Sequence, residues 1–132
     1  MKLYYKDIAP AAERNGNGSI KGGWIFEKMD YAALTILSEE YIYDLENVGT
    51  ATSKADIQFK LPIYPHDYIE IYSKISNISP STFSIYVECK TRKRKSTEWD
   101  LAATANFDFV LIEPDKRKVI RIPREKIDAI KG

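Results

Sequence analysis

An α+β fold, with one long helix wrapped by an antiparallel sheet, is the class this sequence predicts, and two successive periods predict it. From Trp24 to about Glu40, the residues Ile25, Met29, Ala32, Ala33, Ile36 and Leu37 recur at three- and four-residue steps, the stripe of a helix with one buried face. From Val48 onward the apolar residues recur at every second position, as strands with one face toward a core require. A length of 132 residues suits one compact domain over 1–132 with a core of useful size.

The elements follow in order. A short strand is expected at Lys2–Ile8. The stretch "APAAERNGNGS" reads as loop, because Pro10, Gly16 and Gly18 break any period. The helix starts near Gly22 or Gly23, and Val48–Leu61 makes the next strand. Ile69, Ile71, Ser73 and Ile75 alternate with Tyr68, Glu70, Tyr72 and Lys74, and Phe83, Ile85, Val87 and Cys89 alternate with Ser84, Tyr86, Glu88 and Lys90. Leu101, Ala103, Ala105, Phe107, Phe109 and Leu111 continue the pattern, with turn signals at Pro62–Asp67, Asn77–Ser81, Arg94–Thr97 and Pro114–Lys118. One helix covers one face of such a sheet. The outward Tyr68, Tyr72 and Tyr86 are amphipathic and suit a partner surface, so an oligomer is expected.

Composition narrows the function classes. Hydrophobic residues at 44% and charged residues at 30%, with a net charge of +1, argue against disorder and against general nucleic-acid binding. No run approaches the length of a membrane span, and "MKLYYKDIAP" lacks the apolar block of a signal peptide, so a cytoplasmic protein with no membrane partner is expected. Cys89 is the single cysteine and falls on the inward side of a strand, which reads as a buried thiol in a reducing compartment.

Asp30 stands out within the helix. Its neighbours four residues away are Phe26 and Leu34 and those three away are Glu27 and Ala33, so no cation on the same helix can pair with it at those spacings. Held among Phe26, Met29, Ala33 and Leu34, its charged form would be disfavoured by desolvation, which raises a carboxyl pKa and makes a better general base. The alternative is a carboxylate at the edge of the stripe that meets water or a strand cation. Gly22 and Gly23 open the same helix, leaving free amides at the positive end of the dipole, suited to an oxyanion. Yet Gly22 and Asp30 are eight residues apart, about 12 Å along a helix, too far to touch one reacting carbonyl. Two such helices running antiparallel across a dimer would join Gly22 of one chain to Asp30 of the other, giving two shared sites.

Asn15, Gly18, Ile20, Gly22, Gly23, Trp24, Met29 and Asp30 form the pattern N-x-x-G-x-I-x-G-G-W-x-x-x-x-M-D. It resembles the active-site segment of hotdog-fold acyl-CoA thioesterases, nearest to the bacterial hexameric short-chain type. The likeness continues through Phe59, Pro62 and Asp67 in "FKLPIYPHD", then "ATANFDFVLIEPD" and "IPRE". The resemblance implies a hotdog fold, a long central helix wrapped by a curved antiparallel β-sheet, and a homodimer or a hexamer built as a trimer of dimers. It also implies hydrolysis of acyl-CoA, with Asp30 as general base or nucleophile, Asn15 as the active-site amide and Gly22 or Gly23 as the oxyanion hole. No cofactor is then required, coenzyme A being part of substrate and product. Ser19, His66 and Leu34 depart from the family's usual acidic residue, turn glycine and threonine, which bears on substrate range and turn geometry.

Other residues fit lesser roles. "KTRKRK" at 90–95 places five cations in six positions; it is a solvated hairpin tip or, through Arg92, Lys93 and Arg94, a clamp for the phosphates of coenzyme A. His66, in "YPHDY", reads as a turn residue, and a metal site is not expected with one histidine and one cysteine. Ser19 and Ser53 have no histidine at a useful motif spacing, so no serine triad is expected. The alternative to a hydrolase is a hotdog module that binds acyl-CoA or an acyl carrier without turnover. A hotdog dehydratase ranks third, since the Asp/His pairing of such enzymes is missing.

Overall fold

The computed structural model describes residues 1–131. Strand β1 (Lys2–Ile8) is followed by a single helical turn at Ala11–Glu13, then helix α1 (Gly22–Ile36). Strands β2 (Gly49–Phe59), β3 (Tyr68–Ile78), β4 (Phe83–Arg92) and β5 (Asp100–Glu113) come next, then the short β6 (Lys118–Ile120) and helix α2 (Arg124–Lys131). The strands form one antiparallel sheet in the order β1-β3-β4-β5-β2, with β6 paired to β5. No described helix is long and apolar enough to cross a membrane.

The core lies between α1 and the inner face of the sheet. Ile25, Met29, Ala32, Ala33 and Ile36 are buried on the helix, as the stripe predicts. Ile69, Ile71, Phe83, Ile85, Val87, Cys89, Ala103, Ala105, Phe107, Phe109 and Leu111 answer them from the strands. Each large aliphatic or aromatic side chain fully removed from water stabilises the fold by roughly 1.5–3 kcal/mol. Small Ala32 and Ala33 give the helix a flat side against the sheet. The buried Ser73 hydroxyl donates to the Ala32 carbonyl at 3.0 Å and ties β3 to the helix backbone.

Three details differ from expectation. The α-helical pitch stops at Ile36, and a wider π turn, Leu37–Tyr41, completes the rod. That turn keeps Leu37 in the core while Glu40 accepts from the Tyr4 hydroxyl at 2.8 Å and pairs with Lys2, fastening the helix end to β1. In β5, Leu101 is only half-buried while Ala102 and Ala103 are both buried, because the β4–β5 register shifts between Cys89 and Lys90. Finally, β6 and α2 had no clear signal in the sequence. Ile122, between them, is buried and donates its amide to the Pro80 carbonyl at 2.9 Å, so this segment closes one end of the core.

The outer face of the sheet is a lattice of tyrosines and charges. Lys74 lies over Tyr86, Lys90 over Tyr72 and Arg92 over Tyr68, at 5.6, 5.0 and 4.5 Å from the ring centres. The Tyr72 and Tyr86 hydroxyls donate to Glu70 and Glu88. The two sheet margins are β1 and β2. Strand β2, eleven residues long, pairs with β5 on one side and presents mostly exposed side chains.

Candidate functional site

The loop before α1 is shaped by its own polar groups. The Asn15 amide donates to the Ser19 carbonyl at 2.8 Å, and the Asn15 side-chain oxygen accepts from the Asn17 amide at 3.0 Å. Its side-chain nitrogen donates to the Ser19 hydroxyl at 3.2 Å. Gly18 turns the chain with a φ of +94°, a conformation that residues with a Cβ rarely adopt. The Ile20 amide then donates to the Ile63 carbonyl at 2.7 Å, and the Lys21 amide to the Glu13 carbonyl at 2.8 Å. These bonds deliver Asn15 to the start of the helix.

Helix α1 begins without a side-chain cap, since Lys21 at the N-cap makes no capping bond. The first amides of the helix itself to be bonded are those of Trp24 and Ile25, which share the Lys21 carbonyl. The Gly22 and Gly23 amides therefore remain available at the positive end of the helix dipole. Gly22 borders a cleft of about 360 Å³ whose walls include Asn15, Ser19, Ile25, Phe59 and Pro62, and Gly23 follows it just outside that lining. Asn15 and Gly22 are thus brought together at one cleft.

Asp30 does not line that cleft. It lies two turns further along α1, half-buried, and burial alone raises its carboxyl above the ordinary value, with no offsetting cation or hydrogen bond. The strand cation allowed for as the bland explanation is not found among the described residues. The helix row Gly22, Phe26, Asp30 has a defined direction, because Phe26 packs against Phe107 of β5 with ring centres 5.6 Å apart. Asp30 accordingly flanks the β5–β2 side, where β2 is the sheet margin. Beside it, Tyr31 and Leu34 are 54% and 37% exposed, a large apolar area for a solvent-facing helix.

The basic tip between β4 and β5 divides into two kinds of residue. The Arg92 guanidinium stacks on Tyr68 and Trp99 and donates to the Ser96 carbonyl at 2.5 Å, so it holds the hairpin. Lys93 and Arg94 are exposed. Lys93 also borders a second hollow of about 230 Å³ with Leu61, Pro62, Tyr64, Asp67, Thr91 and Asp100. Leu61 and Pro62 line both hollows, so they separate the Gly22 cleft from Lys93.

The remaining candidates sort out by geometry. His66 is exposed at a φ of +75°, the turn conformation in which a glycine sits at ease, and its amide donates to the Ala9 carbonyl at 2.8 Å. It is a turn residue. Cys89 is fully buried and its thiol is pushed up to about 12 by desolvation. Among the described residues, no cluster of three or more His, Cys, Asp or Glu side chains could hold a metal ion. Sequence reasoning missed the position of Phe59, whose ring lies on Gly22. A phenylalanine at the solvent-facing end of a margin strand was the available signal.

The model of the Thioesterase-like superfamily matches residues 21–130. An uncharacterized acyl-CoA thioester hydrolase of Haemophilus influenzae is 30% identical over 126 residues, covering 93% of this chain and 79% of the relative. Another from Zymomonas mobilis is 29% identical over 110 residues, covering 83% of this chain and 71% of the relative. Among solved structures, a hexameric hotdog-fold thioesterase of Campylobacter jejuni superposes with a TM-score of 0.79 at 25% identity, covering 97% of this chain and 95% of its own. The helix-and-sheet arrangement of this chain is a hotdog fold.

Proposed function

This chain belongs to the thioesterase-like superfamily, and from that premise we propose that it hydrolyses acyl-CoA to a free acid and CoA in sites shared between two copies. One observation carries the shared-site reading. Asn15 and Gly22 border one cleft, whereas Asp30 stands about 12 Å further along the same helix and outside it. A second copy docked at β2 would place two α1 helices side by side, covering Tyr31 and Leu34. Each Asp30 would then meet the partner's helix N-terminus. The hexameric thioesterases among the structural relatives support a trimer of such dimers.

In this site the Gly22 and Gly23 amides would donate to the thioester oxygen as negative charge develops on it. Asn15 would orient that oxygen or the attacking water. Asp30 of the other copy, its pKa raised by burial, takes the proton from water as the hydroxyl adds to the carbonyl carbon. Alternatively it attacks the carbonyl itself, giving a mixed anhydride that water resolves. In both routes the C–S bond breaks and the CoA sulfur leaves as thiolate, gaining a proton. Lys93 and Arg94 would meet the CoA phosphates, with Arg92 supporting the tip on which they stand.

The test is thiol release from a panel of acyl-CoA substrates. The wild-type chain should turn over at least one, and Asp30→Asn should remain a folded oligomer that releases none. Unchanged turnover in Asp30→Asn would refute the role of Asp30. Tight binding of acyl-CoA by the wild type without release would mark the chain as a non-catalytic module.

A further inference from the structure

Gly22 and Gly23 are glycines for different reasons. Neither has a positive φ, so backbone freedom does not account for them. A Cβ on Gly23 would meet nothing within 4 Å, whereas a Cβ on Gly22 would lie 3.1 Å from Cζ of Phe59 and 3.6 Å from both of its Cε atoms. The ring therefore points tip-first at the bare Cα of Gly22, closer than a side chain there would comfortably allow. Gly23 leaves space; Gly22 admits a ring.

That ring is presented from a fixed base. Phe59 ends β2 opposite Ala103, and the next two amides, Lys60 and Leu61, both donate to the Ala102 carbonyl at 2.8 and 3.1 Å. The segment is also fastened to the loop before α1 by the Ile20–Ile63 bond. Even so, Phe59 is 52% exposed and borders the cleft with Asn15 and Ile25. A large apolar side chain kept on the surface against a helix N-terminus has little effect on the core, but it bounds the approach to the two free amides.

We propose that Phe59 is a positioning residue for the thioester, fixing the side from which its carbonyl meets the Gly22 and Gly23 amides and excluding water from the other. An oxygen accepting from the Gly22 amide at about 2.9 Å would lie within reach of the ring tip. Removing water from one flank lowers the local dielectric and strengthens the amide–oxyanion interaction as charge develops. The ring faces the reacting group rather than the acyl tail, so its influence is independent of chain length. This inference rests on the hydrolase reading above.

The experiment is a double-mutant cycle with Phe59→Ala, Gly22→Ala and the pair, with Phe59→Tyr as the conservative control, each checked for an unchanged oligomer and melting temperature. Phe59→Ala should lower kcat about tenfold at every acyl length tested, with KM within about twofold, and Phe59→Tyr should restore most of it. Gly22→Ala should also lower kcat, because its Cβ displaces the ring. The pair should then be no worse than the lower single variant. A loss that depends on chain length, a change confined to KM, or losses that multiply in the pair would each overturn the inference. Absence of wild-type turnover across the panel would remove the hydrolase reading and this inference together. Wild-type turnover with unaltered Phe59→Ala kinetics would remove this inference alone.

Discussion

Two inactive variants mixed together should regain activity. Asn15→Ala damages the cleft at the helix N-terminus, and Asp30→Asn removes the carboxylate two turns away; the two changes lie in different halves of the proposed site. Each homodimer then has a fault in both of its sites, and each should fall by about 100-fold or more. Unfolding and refolding the two together gives mixed dimers as half of the population. Every mixed dimer carries one site with both faults and one with neither. Intact sites are thus about a quarter of the total, and thiol release should return to about a quarter of the wild-type rate. Asn15 is exposed and Asp30→Asn keeps shape, so neither change touches the core, and the melting temperature of each parent checks the loop bonds that Asn15→Ala removes. If both halves of a site came from one chain, the mixture would stay at the mean of its parents, and that result would refute the shared-site argument.

Three further outcomes are expected. Lys93→Ala with Arg94→Ala should raise KM for acyl-CoA far more than for a truncated pantetheine thioester, whereas Arg92→Ala should chiefly cost about 1 kcal/mol of stability through lost stacking on Tyr68 and Trp99, read as a lower melting temperature. The raised pKa of Asp30 has a signed consequence. The folded state holds this proton more tightly than the unfolded chain, so Asp30's contribution to stability falls as pH rises through the unfolded carboxyl value, about 3.9, toward the folded one. Asp30→Asn should therefore melt higher than wild type at pH 7 and show a smaller difference near pH 3. Cys89, buried and with its thiol pushed up to about 12, should consume no aromatic disulfide reagent until the protein is unfolded. The assay for released CoA then has no background from the enzyme.

Much of the fold is written in local period. The α1 stripe and the alternation around Ile71, Val87 and Phe107 were legible because burial on one face repeats at the pitch of the element. That no cation on its own helix pairs with Asp30 was legible too, since helix neighbours lie at fixed offsets, whereas a partner from a strand was left open. What escaped were contacts between distant positions. Phe59 and Gly22 are 37 residues apart, and nothing local says that a strand-end ring will rest on a helix-start glycine. Arg92 looked like part of a uniform basic run until Tyr68 and Trp99 came together across the hairpin. The β6 and α2 segments are only three and eight residues long, too short for a period to stand out from the lysines and arginines around it. Leu101 misled because a slip in register moves a residue to the opposite face.

Strand β2 also poses a hazard that the chain must manage. A long margin strand with free backbone groups is a template for unlimited addition, the geometry from which fibres grow. Pairing β2 with its own copy about a two-fold axis, as proposed above, would use up both templates at once, so growth in that direction would stop after a single step. Lys54 and Asp56, exposed along the strand, and the register shift between Thr52 and Lys54 make a misaligned guest costly. At the opposite margin, β1 breaks register between Leu3 and Tyr5 and carries exposed Lys2 and Lys6. In a newly made chain, before it finds its copy, these charges and slips protect against aggregation.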